Sequence, residues 1–442
     1  MSPSINRRAF VQGGILGAGA LAAGYFVNPS AAAESKSPNE RLNLACIGAT
    51  GRAGANIQEL KSQNIIAIAD VDEALLDKGA APYDGVRKYR DFRVMLEKEA
   101  SKIDGVVVGT PDHTHAPAAA MALRMKKHVY CEKPLTHTVL EARTLANLAR
   151  EHKLVTQMGT QIHAGGNYRR VVELIQSGAI GAVREVHVWV TVVYGGKKYT
   201  TGTKAPANVD WDLWLGPAPD RPYSDGVHPF HWRNFWDYGS GSLGDFGCHY
   251  LDLVHWALNL KAPTRVVTTG PDRDPDSAPL WATAEYDYPA RGKDPAVKVH
   301  WYDGGKQPPK LAEWLATGKN ADGKPLSWPS GQMFIGDKGM LISNYGEHRL
   351  LPQDKFADFK RPAPTIPDSI GHHNEWVQAI KTGGPTTCNF DYSGALTEAV
   401  LLGVAAYRSG QAIEWDAANL KVTNNPGAQQ YIHKEYRRGW TL

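Results

Sequence analysis

The chain has 442 residues, 42% hydrophobic and 21% charged, which is enough for two domains with sizeable cores and excludes a largely disordered protein. Lys and Arg number 49 against 45 Asp and Glu; the resulting formal charge of +4 is too small over this length to mark a nucleic-acid or membrane-surface partner. The four cysteines, Cys46, Cys131, Cys248 and Cys388, form no tight cluster and read as reduced, mostly buried thiols.

Residues 1–33 read as a targeting segment. Arg7-Arg8-Ala9-Phe10 precedes a weakly apolar, Gly- and Ala-rich stretch from Gly13 to Val27, and Ala31-Ala32-Ala33 offers small residues for cleavage. Paired arginines before a mild apolar core have the character of a twin-arginine signal, although Asn6 and Gln12 depart from its usual residues. The expectation is export to the periplasm or beyond by the twin-arginine machinery. The apolar stretch is short and glycine-rich for a spanning helix, so no stable membrane span is expected after cleavage; an uncleaved anchor is the alternative. Residues 34–40 form a polar linker.

From residue 41 to about 160 the pattern alternates short apolar strands with helices. Strands are predicted at 42–47, 64–70, 103–109, 128–132 and 154–158. Helices are predicted from Glu73, over His115–Lys126 and over Glu141–His152. Such alternation argues a parallel sheet covered on both faces. Beyond residue 160 the pattern changes. A helix over Arg169–Ser177 precedes a half-exposed strand over Val183–Tyr194, and further strands are suggested at 265–269, 283–288, 296–302 and 340–343. Helical stretches follow at 374–381 and 395–409. The fold class is therefore α/β throughout. Residues 161–442 are read as a second α/β domain with a mainly antiparallel open sheet.

The first strand ends in Gly48-Ala49-Thr50-Gly51-Arg52-Ala53-Gly54, which leads into a helix. Glycines there permit a tight bend and a close approach of backbone N–H groups to a pyrophosphate, and the helix N-terminus adds positive potential. Asp70 ends the second strand, 22 residues after Gly48. A carboxylate there accepts hydrogen bonds from ribose hydroxyls and repels a 2′-phosphate, which favours NAD over NADP. Residues 41–160 thus read as a Rossmann dinucleotide-binding domain. Thr50 stands where a second glycine is usual and Ala53 where a third is, so the pyrophosphate contacts depart from the common pattern.

Two further motifs carry chemistry. Cys131-Glu132-Lys133-Pro134 closes a predicted parallel strand, where ligands of open α/β sheets bind. The Lys133 ammonium can stabilise an alkoxide, or act as a base if burial lowers its pKa. Pro134 fixes the turn, with a cis bond as one option. Gly244-Asp245-Phe246-Gly247-Cys248-His249 opens a helical pattern running to Leu258, with Asp245, His249, Asp252 and Trp256 on one stripe. A carboxylate beside an imidazole orients it and raises its basicity, as alcohol oxidation requires. The pair also suits a metal, but spacing shows no third ligand, so none is expected.

Glu132-Lys133-Pro134 together with Asp245-x-x-x-His249 resembles the glucose–fructose oxidoreductase / inositol dehydrogenase / rhizopine-catabolism family, a likeness extending over most of residues 41–410. The resemblance implies that Lys133, Asp245 and His249 carry catalysis. It places Thr110, Pro111, His113 and His115 beside the nicotinamide, with Glu132 and Gln161 also on the cofactor side, and Gly159-Thr160-Gln161 crossing into the second domain. It further implies that the second sheet shapes the pocket and often an oligomer interface, so a homo-oligomer is expected.

His163, Asn167, Tyr168 and Arg233 are candidates to bind substrate hydroxyls. Trp211–Pro217 and His228–Arg233, dense in aromatic residues, suit the apolar face of a sugar ring; packing beneath long loops explains them equally well. The implied activity is NAD(P)-dependent oxidation at a CH–OH group of a sugar, sugar derivative or cyclic polyol. In an exported protein the cofactor would be loaded before export and held tightly. The alternative is a redox-neutral, NAD-dependent glycoside-cleaving or isomerising enzyme that oxidises its sugar transiently. A non-catalytic binding protein is disfavoured by the retention of Lys133 and His249.

Overall fold

The computed structural model describes residues 40–442; the segment 1–33 read as a targeting signal and all but Glu40 of the expected linker lie outside the described residues. Strands β1 (Asn43–Ile47), β2 (Asn64–Ala69), β3 (Arg87–Tyr89), β4 (Gly105–Val108), β5 (His128–Cys131) and β6 (Thr156–Met158) make one sheet. Its order is β3-β2-β1-β4-β5-β6, with every neighbouring pair parallel. Helices α1 (Gly51–Glu59), α2 (Glu73–Ala80), α3 (Phe92–Glu99), α4 (Asp112–Arg124) and α5 (Val139–Glu151) connect them. The order reverses between β1 and β4, and a crevice opens at their carboxyl ends.

Local chemistry fixes these boundaries. The Asp72 carboxylate caps α2 by accepting from Ala74 N and Leu75 N. Thr138 and Glu141 form a reciprocal capping box, so α5 starts at Val139 rather than at Glu141. Helix α4 begins at Asp112, three residues before the expected start, directly after Pro111. Strand β3 is only three residues long and α3 only eight, so neither stands out in the sequence.

The second half contains α6 (Gly166–Gln176), β7 (Val183–Trp189), α7 (Trp211–Leu215), α8 (Gly241–Leu258), β8 (Arg265–Thr269), β9 (Thr283–Tyr288), β10 (Val297–Tyr302) and α9 (Leu311–Ala316). It continues with β11 (Gly331–Gly336), β12 (Gly339–Ser343), β13 (His348–Leu351), α10 (His372–Thr382), α11 (Phe390–Ser409), β14 (Ile413–Asp416) and β15 (Lys421–Val422). The nine strands run β13-β12-β11-β7-β10-β9-β8-β14-β15, antiparallel except for the β7–β10 pair. The strand expected over Val183–Tyr194 stops at Trp189, where pairing with Gly331 ends. Helix α8 starts three residues earlier than expected, which places Asp245 and His249 inside the helix rather than at its mouth.

Late elements close the first sheet. Trp376 of α10 is fully buried against it, in a cluster with Leu44, Val107 and Tyr130, and α11 packs along α5 and α8. All four cysteines are free and buried. No helix among the described residues is long and apolar enough to cross a membrane.

Candidate active site

A cleft of about 660 Å³ runs from the Gly48–Arg52 turn, past the ends of β2, β4 and β5, to the α8 residues Asp245, Phe246 and His249. At one end the backbone prepares for an anion. Gly48 has φ +92°, and a Cβ there would come within 2.9 Å of the Ala53 Cβ, so only glycine closes this turn. Ala53 lies behind the turn, outside the cleft lining. Its methyl packs toward Gly48 and Gly109, which explains a small residue where a glycine was expected. The Thr50 side chain makes no cap bond to α1, and the first turn of α1 holds no acidic residue. The N–H groups at this helix start thus keep their positive potential for a ligand.

Asp70 stands at the end of β2. It accepts from Ala49 N at 2.9 Å and from Asp72 N at 3.0 Å, while burial raises its pKa above the ordinary value. A loop from the second half reaches over this end: His228 Nε2 sits 2.9 Å from Asp72 Oδ2, and Asp210 N donates to Val71 O. The donors and the acceptor present fit a dinucleotide, whose pyrophosphate Gly48, Thr50, Gly51 and Arg52 would hold and whose ribose Asp70 would meet.

At the other end, Lys133 follows β5, and the Lys133–Pro134 bond is cis. Its Nζ lies 2.9 Å from Asp245 Oδ1 and 3.1 Å from the Asp245 carbonyl oxygen. Burial opposes the Lys133 charge, but Asp245, Glu132 and Asp112 outweigh it and hold the ammonium above its ordinary range. Asp245, likewise buried, is held below the usual carboxylate range by Lys133 and Arg233, whose Nε is 3.3 Å away. The expected partnership of Asp245 with His249 is therefore not what forms. His249 Nδ1 is buried without a hydrogen-bond partner, and burial followed by the Lys133 charge pushes its pKa down to about 3. The site presents a fixed cation and a neutral imidazole with an uncommitted nitrogen.

Several expected site residues lie elsewhere. Thr110, Pro111 and Glu132 line the cleft, but His113 and His115 are buried beneath it. His113 Nε2 is 2.9 Å from the Trp214 carbonyl, and the two His115 nitrogens are each 2.8 Å from the carbonyls of Pro134 and Thr110. The early start of α4 turns Asp112 and Thr114 to the cleft in their place. Gln161 stands behind Glu132, donating to its Oε1 at 2.8 Å. His163 is buried on Asp252 at 2.9 Å and stacked on Trp256 at 4.0 Å. Asn167 donates to the Asn344 carbonyl, and Tyr168 donates to the His249 carbonyl at 3.2 Å. A short 3-10 turn at Gln161–Ala164 and the early start of α6 direct these three away from the cleft. Arg233 does reach it.

Trp214, His228, Phe230 and Trp232, from the aromatic segments read as candidates for a sugar ring, line the cleft, and Asp112, Tyr194 and Phe246 line it without having been given a role of their own. The aromatic density of the 211–233 segments was the signal for four of them. Asp112, within the Thr110–His115 loop, is 1% exposed, and burial followed by the Asp245 charge pushes its pKa up to about 8.

Two family models match the chain. One, described as the NAD-binding Rossmann fold of an oxidoreductase family, covers residues 42–160. The other, the C-terminal alpha/beta domain of the same family, covers residues 166–295. Inositol 2-dehydrogenase of Rubrobacter xylanophilus is 30% identical over 150 residues, 33% of this chain and 42% of that protein, so the match spans less than half of the relative. The structure of the WlbA dehydrogenase from Bordetella pertussis, in complex with NADH and UDP-GlcNAcA, is similar over 85% of this chain and 99% of that one, with TM-score 0.58 and 15% identity. That of the aldose-aldose oxidoreductase from Caulobacter crescentus, complexed with glycerol, gives TM-score 0.53 over 85% and 100% at 17% identity. At such identities these two structures speak for the fold alone. With both halves matched in order by one family's models, the chain belongs to the glucose–fructose oxidoreductase / inositol dehydrogenase / rhizopine-catabolism family of oxidoreductases.

Proposed function

We propose that the protein oxidises a CH–OH group of a sugar, sugar derivative or cyclic polyol, with NAD in preference to NADP. The observation that carries this is one cleft lined by a charged Lys133, its Asp245 partner and the neutral His249 imidazole, continuous with the Gly48 turn and Asp70. NAD bound along that turn would supply the hydride acceptor. The neutral His249 imidazole takes the hydroxyl proton. The Lys133 ammonium donates to the substrate oxygen and stabilises its developing negative charge. Asp245 fixes Lys133 in place and keeps it charged. Tyr194, Phe230, Trp232 and Phe246 give the cleft wall an apolar surface for the CH face of a sugar ring. A relative named as acting on inositol supports this substrate class.

The twin-arginine character of residues 1–33 supports export of the folded enzyme with its cofactor already bound. The test uses purified protein, first denatured to assay released dinucleotide and then offered a panel of sugars and polyols while NADH absorbance is followed. Reduction by at least one polyol, lost in His249→Asn, is the expected result. Intact NAD binding with no polyol able to reduce it would sink the proposal. Turnover of a glycoside without net NADH would move the assignment to transient oxidation.

A further inference from the structure

Away from the cleft, the nine-stranded sheet brings together a second group of side chains. Strands β7 and β10 are parallel neighbours, and their register pairs His187 with His300 and Glu185 with Lys298. Strand alternation puts Glu185, His187, His300 and Tyr302 on one face. The two imidazoles stack at 4.6 Å with planes 10° apart. Glu185 Oε1 lies 2.9 Å from His187 Nε2 and 3.3 Å from His300 Nε2. Ligand atoms bound at about 2.0–2.1 Å in a tetrahedral zinc site stand roughly 3.3 Å apart, a length that the Glu185–His300 contact already has, while the Glu185–His187 hydrogen bond is shorter. One ligand atom from each of the three residues falls within 4.8 Å of the others.

The outer nitrogens are also provided for. His187 Nδ1 is 3.1 Å from the Tyr302 hydroxyl, and His300 Nδ1 is 3.6 Å from Glu285 Oε2. Glu185 accepts from His187 Nε2, so binding a cation there moves that proton to Nδ1, where the Tyr302 hydroxyl can accept it. His300 Nε2 is buried without a hydrogen-bond partner. The nearby Lys298 ammonium is engaged by Glu285 and by Asp287, the latter at 2.9 Å.

We propose that Glu185, His187 and His300 form a zinc-class divalent-cation site, with water as the fourth ligand, that clamps β7 to β10. Imidazole and carboxylate donors suit zinc better than calcium or magnesium. The site is separate from the cleft and serves the sheet rather than the redox chemistry.

The test strips the full chain with a chelator and measures zinc by equilibrium dialysis and metal analysis, with cobalt as a spectroscopic stand-in. One zinc per chain is expected, with a tetrahedral cobalt spectrum and a melting temperature that rises with zinc. His300→Ala should abolish binding while dinucleotide binding persists. Tyr302→Phe, which leaves every ligand in place, should weaken binding by about 10-fold. Cys388→Ser reports on the other cluster of potential ligands, the buried His163, Asp252 and Cys388, and should change nothing. No zinc bound at micromolar concentration, equal binding by His300→Ala, or loss with Cys388→Ser would each overturn the assignment.

Discussion

Replacing Lys133 by Met separates what its ammonium does for the fold from what it does for chemistry. Its Nζ sits 2.9 Å from Asp245 Oδ1, with the two side chains 11% and 5% exposed. Removing one partner of a buried pair typically costs about 3–5 kcal/mol, because the other charge is left uncompensated. Arg233 remains 3.3 Å from the same oxygen, which puts the expected cost at the low end, about 3 kcal/mol. Unfolding entropy of about 2.1 cal/mol/K per residue over roughly 400 residues gives a melting-temperature drop of about 3–4 °C. The protein should therefore remain folded at 25 °C. The loss in turnover is larger, because the charge that meets the substrate oxyanion disappears: about 10²–10³-fold in kcat. Dinucleotide affinity should stay within a few-fold, since the Gly48 turn and Asp70 are untouched. Single-turnover reduction of bound NAD, calorimetric melting and a dinucleotide titration measure the three quantities. Turnover within ten-fold of the parent, in a protein that is destabilised as expected, would refute the assigned role of Lys133.

Asp70→Ala removes a charged acceptor bonded to Ala49 N and Asp72 N. NADH affinity should fall by about 10–100-fold while NADPH affinity falls less, read by fluorescence titration of both; an unchanged preference removes Asp70 from cofactor selection. Asp112 tests the pH sign. Its pKa is pushed up from 3.8 to about 8, so the folded state binds the extra proton between those values, and stability is lost as pH rises through that window. Asp112→Asn should thus gain melting temperature relative to the parent from pH 5 to pH 8.5. An equal difference at both pH values would show that the carboxyl is not held protonated.

The order of strand, glycine turn, helix and terminal acid was legible because each step is a local demand on the backbone. A bend needs Gly48, a helix start needs an open N-terminus, and a ribose site needs a carboxylate at the end of β2. Cys131–Pro134 and the Asp245–His249 spacing were legible for the same reason, since strand ends and helix faces follow from short-range periodicity. The direction of individual side chains was not. His113, His115, His163 and Tyr168 were sensible polar candidates, and the structure uses all four inside the protein, where they satisfy carbonyls or hold α8. A shift of three residues in the start of α4 decides which of Asp112 and its neighbours faces the cleft.

The chain alone thus determined the fold class and singled out the Gly48 turn, Asp70, Lys133, Asp245 and His249, which the structure brings to one cleft. Only the tertiary structure decided their pairing and charge. Asp245 answers Lys133 and Arg233 rather than His249, and Asp112 becomes protonated, because burial and the nearest charge set a protonation state, and neither is a property of sequence spacing. The convergence of β7 and β10 at His187 and His300 is likewise a matter of register, which joins residues more than a hundred positions apart.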